Sequence, residues 1–170
     1  YAYTNDLSRD GLLEAAGIVS HAAASGKKGA NLEFVDVKPA VNFDFKERPE
    51  DVSTEQKVAV VEAADKTARS VDREQIKQVM VGYGDVVQKV AIANSSGDYV
   101  EDERIRTRLV VQAVAASGQV IQTGFEAVGS LCGFELFKRF PPEEVAGTAA
   151  NRALEMLKAK PAPAGRMPVV

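Results

Sequence analysis

The period-two patterning that begins at Gln75 constrains this chain more than any other feature. Val79, Val81 and Tyr83 share one face of an extended run, Gly84-Asp85 reads as a break, and Val86, Val90 and Ile92 share a face of the next run. Asn94-Ser95-Ser96-Gly97-Asp98 is a turn cluster, rich in side chains that hydrogen-bond their own backbone. A long strand follows from about Tyr99 to Ala116, with Ile105, Thr107, Leu109 and Val111 on one face. Ser117-Gly118 is a two-residue hairpin signal, and Val120 to Phe125 returns. Successive strands joined by tight turns pair antiparallel, so this region predicts an antiparallel meander of about four strands. One face of such a sheet must be covered.

Three segments can supply the cover. Asn5, Asp6 and Ser8 offer a helix start, and Leu12, Leu13, Ala15, Ala16, Val19, Ala22 and Ala23 follow at helical spacing until Gly26 and Gly29. So many alanines predict close contact with a flat neighbour. Ser53-Thr54-Glu55-Gln56 matches a capping box, in which serine accepts from the Gln56 amide and the glutamine reaches back. Val58, Val61, Ala64, Ala68 and Val71 make the apolar stripe of the helix it opens, to about Ser70. Pro141-Pro142-Glu143-Glu144 opens a third helix, with proline in the first turn and carboxylates at the positive end of the dipole. Its stripe is Val145, Ala149, Ala153, Met156 and Leu157, and Pro161 and Pro163 stop it. Between the first two helices, Leu32, Phe34, Val35 and Val37, then Val41, Phe43 and Phe45, suggest one or two extended pieces interrupted by Pro39 and Pro49. Gly129 to Phe140 fits neither period clearly. The sum is an α+β fold: an antiparallel β-meander of about four strands packed with about three helices.

The 170 residues suffice for one domain and a small appendage. A net charge of −3, with 26% charged residues, gives no argument for nucleic acid or a membrane surface as partner. No apolar run approaches the ~20 residues that span a bilayer; the best, Leu109 to Ala116, contains Gln112. With Cys132 alone, no internal disulfide forms, as suits a reducing compartment. A start on Tyr1 reads as a cut or processed end, and Met167-Pro168-Val169-Val170 as a strand that is cut off.

A catalytic zinc needs three protein ligands and an open fourth position. His21 and Cys132 are the only imidazole and thiol, so every further ligand would have to be a carboxylate. His21 sits mid-helix among alanines and reads as a surface or packed histidine. Cys132 reads as a small buried hydrophobe, since a nucleophile needs a base and an orienting group. Gly82-Tyr83-Gly84 lacks the third glycine of a phosphate loop and precedes a strand, so it predicts a tight turn or bulge. Glu101-Asp102-Glu103 precedes Arg104, Arg106 and Arg108, which alternate onto the face opposite Ile105, Thr107 and Leu109. Two readings stand: a solvated face with cross-strand ion pairs, or a face that binds a peptide or partner, the arginines pairing a carboxylate. Asn94 and Ser95 either close a turn or hydrogen-bond a substrate backbone. No residue takes a catalytic or metal role, and no substrate-binding residue stands out.

Several segments, taken in order, resemble the TldD/PmbA family of zinc metallopeptidases, on its TldD side. They are Tyr1-Ala2-Tyr3-Thr4-Asn5-Asp6-Leu7; Val90-Ala91-Ile92-Ala93-Asn94-Ser95 with Gly97 and Glu101-Asp102-Glu103-Arg104; Gly133-Phe134-Glu135-Leu136-Phe137; and Ala162-Pro163-Ala164-Gly165-Arg166-Met167-Pro168-Val169-Val170. The resemblance implies a cytoplasmic metallopeptidase that cuts small or unfolded peptides in a closed chamber, of a kind also labelled modulators of DNA gyrase. In that family a His-Glu-x-x-x-His zinc motif lies beyond the segment resembling Met167–Val170. None of its ligands, nor the glutamate general base, maps onto this chain. Zinc is therefore expected in the full-length parent and no cofactor in this chain. The expected partners are a PmbA/TldE-type paralogous subunit or a second copy, and peptide substrates of the parent, with no nucleic acid and no membrane.

The expected organisation is an α+β scaffold domain over residues 1–158, then residues 159–170 as linker and first strand leading into a catalytic domain. The leading function is a scaffold region forming chamber wall and subunit interface, inactive by itself. The alternative is a non-enzymatic module that binds peptide or protein by adding a strand to the meander's edge, gyrase-modulator-type regulation included. For that last role the sequence offers no basic face or nucleic-acid motif.

Overall fold

The computed structural model describes residues 2–22, 35–39, 41, 43–94, 96–161, 164–166 and 168. Its centre is the strand β3, Asp98–Ser117, paired antiparallel with β2, Ile76–Ala93, along one edge. β4, Val120–Ser130, pairs antiparallel with the other edge, from Thr107 to Ser117. The two-residue loop Gly118–Gln119 joins β3 to β4, and Gly118 takes the left-handed φ of +59° that such a turn requires. Beyond the reach of β4, the short strand β1, Val35–Asp36, lies parallel to β3 against Asp98 and Tyr99. The fold is α+β as expected, but the four-stranded sheet is mixed rather than purely antiparallel.

The expected break at Gly84-Asp85 does not occur. Residues 76–93 form one strand, with Gly84 opposite Arg108 and Asp85 opposite Thr107 in a ladder that is unbroken from Gln78 to Ala93, its one register shift lying between Ile76 and Gln78. The Gly82-Tyr83-Gly84 turn or bulge is corrected with it. Glycine and aspartate are poor strand formers, but pairing with a long central strand outweighs that preference. The fourth strand is therefore β1. The expected strand pieces at Leu32 and Phe34 lie outside the described residues, as do Met167, Val169, Val170 and the glycines Gly26 and Gly29.

Two helices cover one face of the sheet. α2, Thr54–Val71, lies against β2, and α4, Pro142–Leu157, crosses β3 and β4 and packs on α2. Both halves of the predicted capping box are present at Ser53 and Gln56. Ile105, Leu109, Val111, Ala113 and Ala115 of β3 are completely buried on this face. Opposite them α4 presents Ala146, Ala149, Ala150 and Ala153, also completely buried. These side chains hold little bulk, so the α4 backbone comes close to the sheet. A Cβ on Gly124 would lie 2.0 Å from the Ala149 carbonyl oxygen and 2.4 Å from the Ala153 nitrogen. In α2 the buried row is Val60, Ala64 and Ala68, while Val58 is exposed. The expected stripe is thus corrected by part of a turn at its start. Met156, expected in the α4 stripe, is also exposed.

The first helix, α1, Arg9–Ala22, starts at Ser8, whose hydroxyl accepts from the Gly11 amide at 3.2 Å. The flat neighbour expected for it is not found among the described residues. Leu12, Leu13, Ile18 and Val19 remain exposed. The segment from Gly129 to Phe140 resolves into the end of β4, a loop, and a one-turn helix, α3, Leu136–Arg139. Phe134 and Phe137 meet edge-on, with ring centroids 5.1 Å apart, and both pack on Tyr83.

An ion pair ties α2 to β2. Lys57 Nζ lies 2.9 Å from Asp85 Oδ2, each side chain about a quarter exposed. Burial raises the Asp85 carboxyl, but the Lys57 ammonium and the adjacent Tyr83 hydroxyl together hold it below the usual carboxylate range. Burial, then the Asp85 charge, pushes the Tyr83 phenol up. The enclosed Tyr83 hydroxyl makes no hydrogen bond of ordinary geometry, so its relation to Asp85 is chiefly one of charge and proximity.

Two outcomes follow from this arrangement. Gly124→Ala forces α4 off the sheet and costs about 1–3 kcal/mol, while Gly82→Ala, whose Cβ would meet nothing within 4 Å, changes little. Urea unfolding measures both, and equal midpoints for the two variants would refute the close approach. The lowered Asp85 pKa contributes stability that is complete above the unfolded value of about 3.9 and is lost as pH falls through the folded value. Lys57→Met removes that contribution. The stability gap between parent and variant therefore stays level above about pH 5 and narrows below about pH 4. A gap that stays constant into the acid transition would count against the pair.

Candidate functional site on the open face of the sheet

The same alternation that buries one face of β3 leaves the other without a helix among the described residues. Ladder positions on that face run Gly84, Arg108, Gly129 across the three long strands, then Gly82, Val110, Ala127, then Met80, Gln112, Phe125. Met80, Val86, Ile121 and Phe125 are each more than half exposed there. Where Gly82 and Gly84 have no side chains, a shallow groove of about 440 Å³ opens, lined by Met80, Arg108, Val110 and Gln112.

The three predicted arginines do share this face, but they are not equivalent. Arg104 Nε lies 2.6 Å from Asp102 Oδ2 on its own strand. Arg106 donates to Gln88 Oε1 of β2 at 3.0 Å. Arg108 has neither an ion-pair partner nor a side-chain hydrogen bond among the described residues. Its stem instead lies over the Cβ positions that Gly84 and Gly129 lack, at 3.6 and 3.3 Å.

Glu103 faces the other way. It accepts from both terminal nitrogens of Arg48 at 2.8 Å, a bidentate pair, and lies 3.8 Å from Lys89 on β2. The Arg48 hydrogen bonds hold its carboxyl below the usual range against the opposing effect of burial. Lys89–Glu103 is a cross-strand ion pair, but on the face opposite the arginines. Arg104–Asp102 is local to β3, and Arg48 belongs to the segment beside the β3 edge, so the cross-strand ion pairs expected on the arginine face are not found among the described residues.

That segment is fixed by residues to which sequence reasoning assigned no role. The Glu135 carboxylate accepts from the Glu47 amide at 3.0 Å and the Lys46 amide at 3.4 Å, and the Glu47 carbonyl accepts from the Phe134 amide at 2.7 Å. Lys138 pairs with Glu47. A Cβ on Gly133 would lie 2.0 Å from the Glu47 carbonyl oxygen, so only glycine permits the approach. Burial raises the Glu135 carboxyl, but the backbone amides of Glu135 itself, Gly133, Glu47 and Lys46 together outweigh it and hold it low. Contacts almost ninety residues apart in the chain leave no local sequence signal.

The remaining candidates resolve individually. Asn94 closes its turn: its Oδ1 accepts from the Ser96 and Asp98 amides at 2.9 and 3.1 Å, and its Nδ2 donates to Asp98 Oδ2 at 2.8 Å. Ser95 lies outside the described residues. Cys132 is half-buried, and its carbonyl accepts from the Thr107 hydroxyl at 3.0 Å. Burial, then the Glu135 charge, pushes its thiol up, away from the thiolate a nucleophile requires. His21 is exposed near the end of α1. Among the described residues no three His, Cys, Asp or Glu side chains gather so as to hold a metal, and these residues do not fit a zinc site. No described helix is long and apolar enough to cross a membrane.

Comparison with known proteins places this architecture. Residues 47–157 match the family model described as the PmbA/TldA metallopeptidase central domain. A metalloprotease of Methanothermobacter thermautotrophicus is 35% identical over 122 residues, covering 72% of this chain and 26% of that protein. Metalloprotease MJ0996 of Methanocaldococcus jannaschii matches with the same identity, length and coverage. The chain thus spans about a quarter of the length of these curated relatives. Among solved structures, the Thermotoga maritima protein TM0727, described as a candidate modulator of a DNA gyrase, superposes with a TM-score of 0.71. That match covers 95% of this chain and 36% of TM0727 at 23% identity, and it supports the fold alone. On the family model and the curated relatives together, this chain belongs to the PmbA/TldD metallopeptidase family, whose central domain it contains.

Proposed function

We propose that this chain is the non-catalytic scaffold of a zinc peptidase acting on small or unfolded peptides. In this reading its sheet forms part of a chamber wall and of a subunit interface, with a PmbA/TldE-type subunit or a second copy as partner in the cytoplasm. Residues 1–158 act as the scaffold, and residues 159–170 lead toward the part of the parent that carries the zinc.

The observation that carries this reading is the donor set. A catalytic zinc site draws on imidazole, thiolate and carboxylate side chains that converge on one point. Here the chain holds one histidine and one cysteine, and the described residues offer no converging group of three. Both curated relatives are named metalloproteases and are roughly four times longer than the matched segment, which supports assigning the metal chemistry to their remaining length. A second reading, a module that binds a protein segment, is favoured by one feature, the exposed groove beside Arg108.

Zinc titration against a chromophoric chelator, alongside a fluorogenic peptide assay, tests the first reading on this chain and on the longer parent polypeptide. The parent should bind one zinc and lose hydrolysis when the metal is stripped, and the 170-residue chain should do neither. A stoichiometric, tight zinc site on the chain alone, or chelator-sensitive cleavage by it, would overturn the scaffold assignment.

A further inference from the structure

We propose that the helix-free face of the sheet around Arg108 is a docking surface for an extended, acidic and apolar segment of a partner polypeptide. It rests on the second reading above, a module that binds a protein segment, and requires no metal and no cleavage.

Charge is the first argument. The ladder positions of this face carry three arginines and two carboxylates, Asp102 and, at the far end of β3, Asp98, whose side chain accepts from Asn94, although the chain as a whole has a net charge of −3. Asp102 neutralises Arg104, and Gln88 leaves the charge of Arg106 uncompensated. Arg106 and Arg108 therefore form a positive row with the two-residue spacing of a strand. An extended segment with acidic side chains at every second residue repeats that spacing.

Shape is the second argument. Met80, Val86 and Phe125 are exposed beside the row, so the surface suits a partner with apolar side chains between its acidic ones. Between them Gly82 and Gly84 lower the floor into the groove of about 440 Å³. The fold does not demand these glycines. A Cβ on Gly82 would meet nothing, and one on Gly84 only the Arg108 side chain at ordinary contact distance. Glycine inside a strand weakens it, and where the fold does not require one it often marks the close approach of another backbone. Gly124, on the covered face, is the opposite case, filled by α4.

A second copy of this chain is the competing occupant. Two such faces laid together would oppose arginine rows of like charge, which disfavours that arrangement.

The probe is a fluorescein-labelled hexapeptide of alternating leucine and aspartate, amidated at its C-terminus, titrated with the 170-residue chain and read by anisotropy. Saturable binding is expected, at least tenfold weaker for the peptide with asparagine in place of aspartate. Arg108→Gln should weaken binding at least tenfold. Gly82→Leu should abolish it by filling the groove, with the unfolding midpoint of each variant close to that of the parent. Binding should also fall steeply with added salt. Absence of saturable binding, equal affinity for the asparagine peptide, or indifference to both variants would each overturn the proposal. So would a dimer, seen by sedimentation of the unliganded chain, that Gly82→Leu disrupts, because the face would then belong to a second copy.

Discussion

The approach of the α4 backbone to β4 at Gly124 sets the geometry of everything on the covered face. An added Cβ there would overlap the Ala149 carbonyl oxygen, so helix and strand meet with no side chain between them. Four buried alanines on α4 keep that spacing along the helix, and the bulk of the interior comes from β3, in Ile105, Leu109 and Val111. The layer is thin, and its tolerance for volume is small, because neighbouring groups are main chain rather than movable side chains. α2 completes the layer from the side, and Lys57 ties it to Asp85. Both helices are committed to one face, and the other face of the same three strands carries no helix among the described residues.

Much of this was legible in the sequence, for identifiable reasons. The capping box at Ser53, the proline start of α4, the Gly118 hairpin and the alternation of β3 are all local signals with a local physical cause. The misreading of residues 76–93 as two strands came from weighing glycine and aspartate by intrinsic preference. Whether Gly84 breaks a strand depends on what lies beside it, and β3 lies beside it throughout. The parallel pairing of β1, and the Glu135 clamp on Lys46 and Glu47, join segments far apart in the chain. No window of neighbouring residues encodes them. The arginine row was visible as a pattern, but the distinction among Arg104, Arg106 and Arg108 was not. It rests on which neighbour each meets across the ladder.

The family assignment is independent of the site geometry. Membership rests on the match to residues 47–157 and on relatives 35% identical, and those relatives extend far beyond the matched segment. The described residues are ordered for shape and contact: a rigid covered face, a clamped edge segment and an exposed face with a positive row. A scaffold needs these properties, and so does a docking surface. The two roles can coexist on opposite sides of one sheet.

β3 runs nine residues further than the partner strand β4 can follow, from Asp98 to Arg106. Over that length β2 and β3 form an arm beyond most of the helical cover, with only the two-residue β1 added at its tip, and two-stranded ribbons are marginally stable on their own. The arm is braced at its side, by the β1 pairing at Asp98 and Tyr99, by Arg48 on Glu103 and by the Glu135 grip on the 46–47 backbone. Part of its support is therefore remote, from the loop that precedes α3. Losing the Glu135 carboxylate would remove a brace from the arm while the helix-covered half of the sheet kept its own contacts.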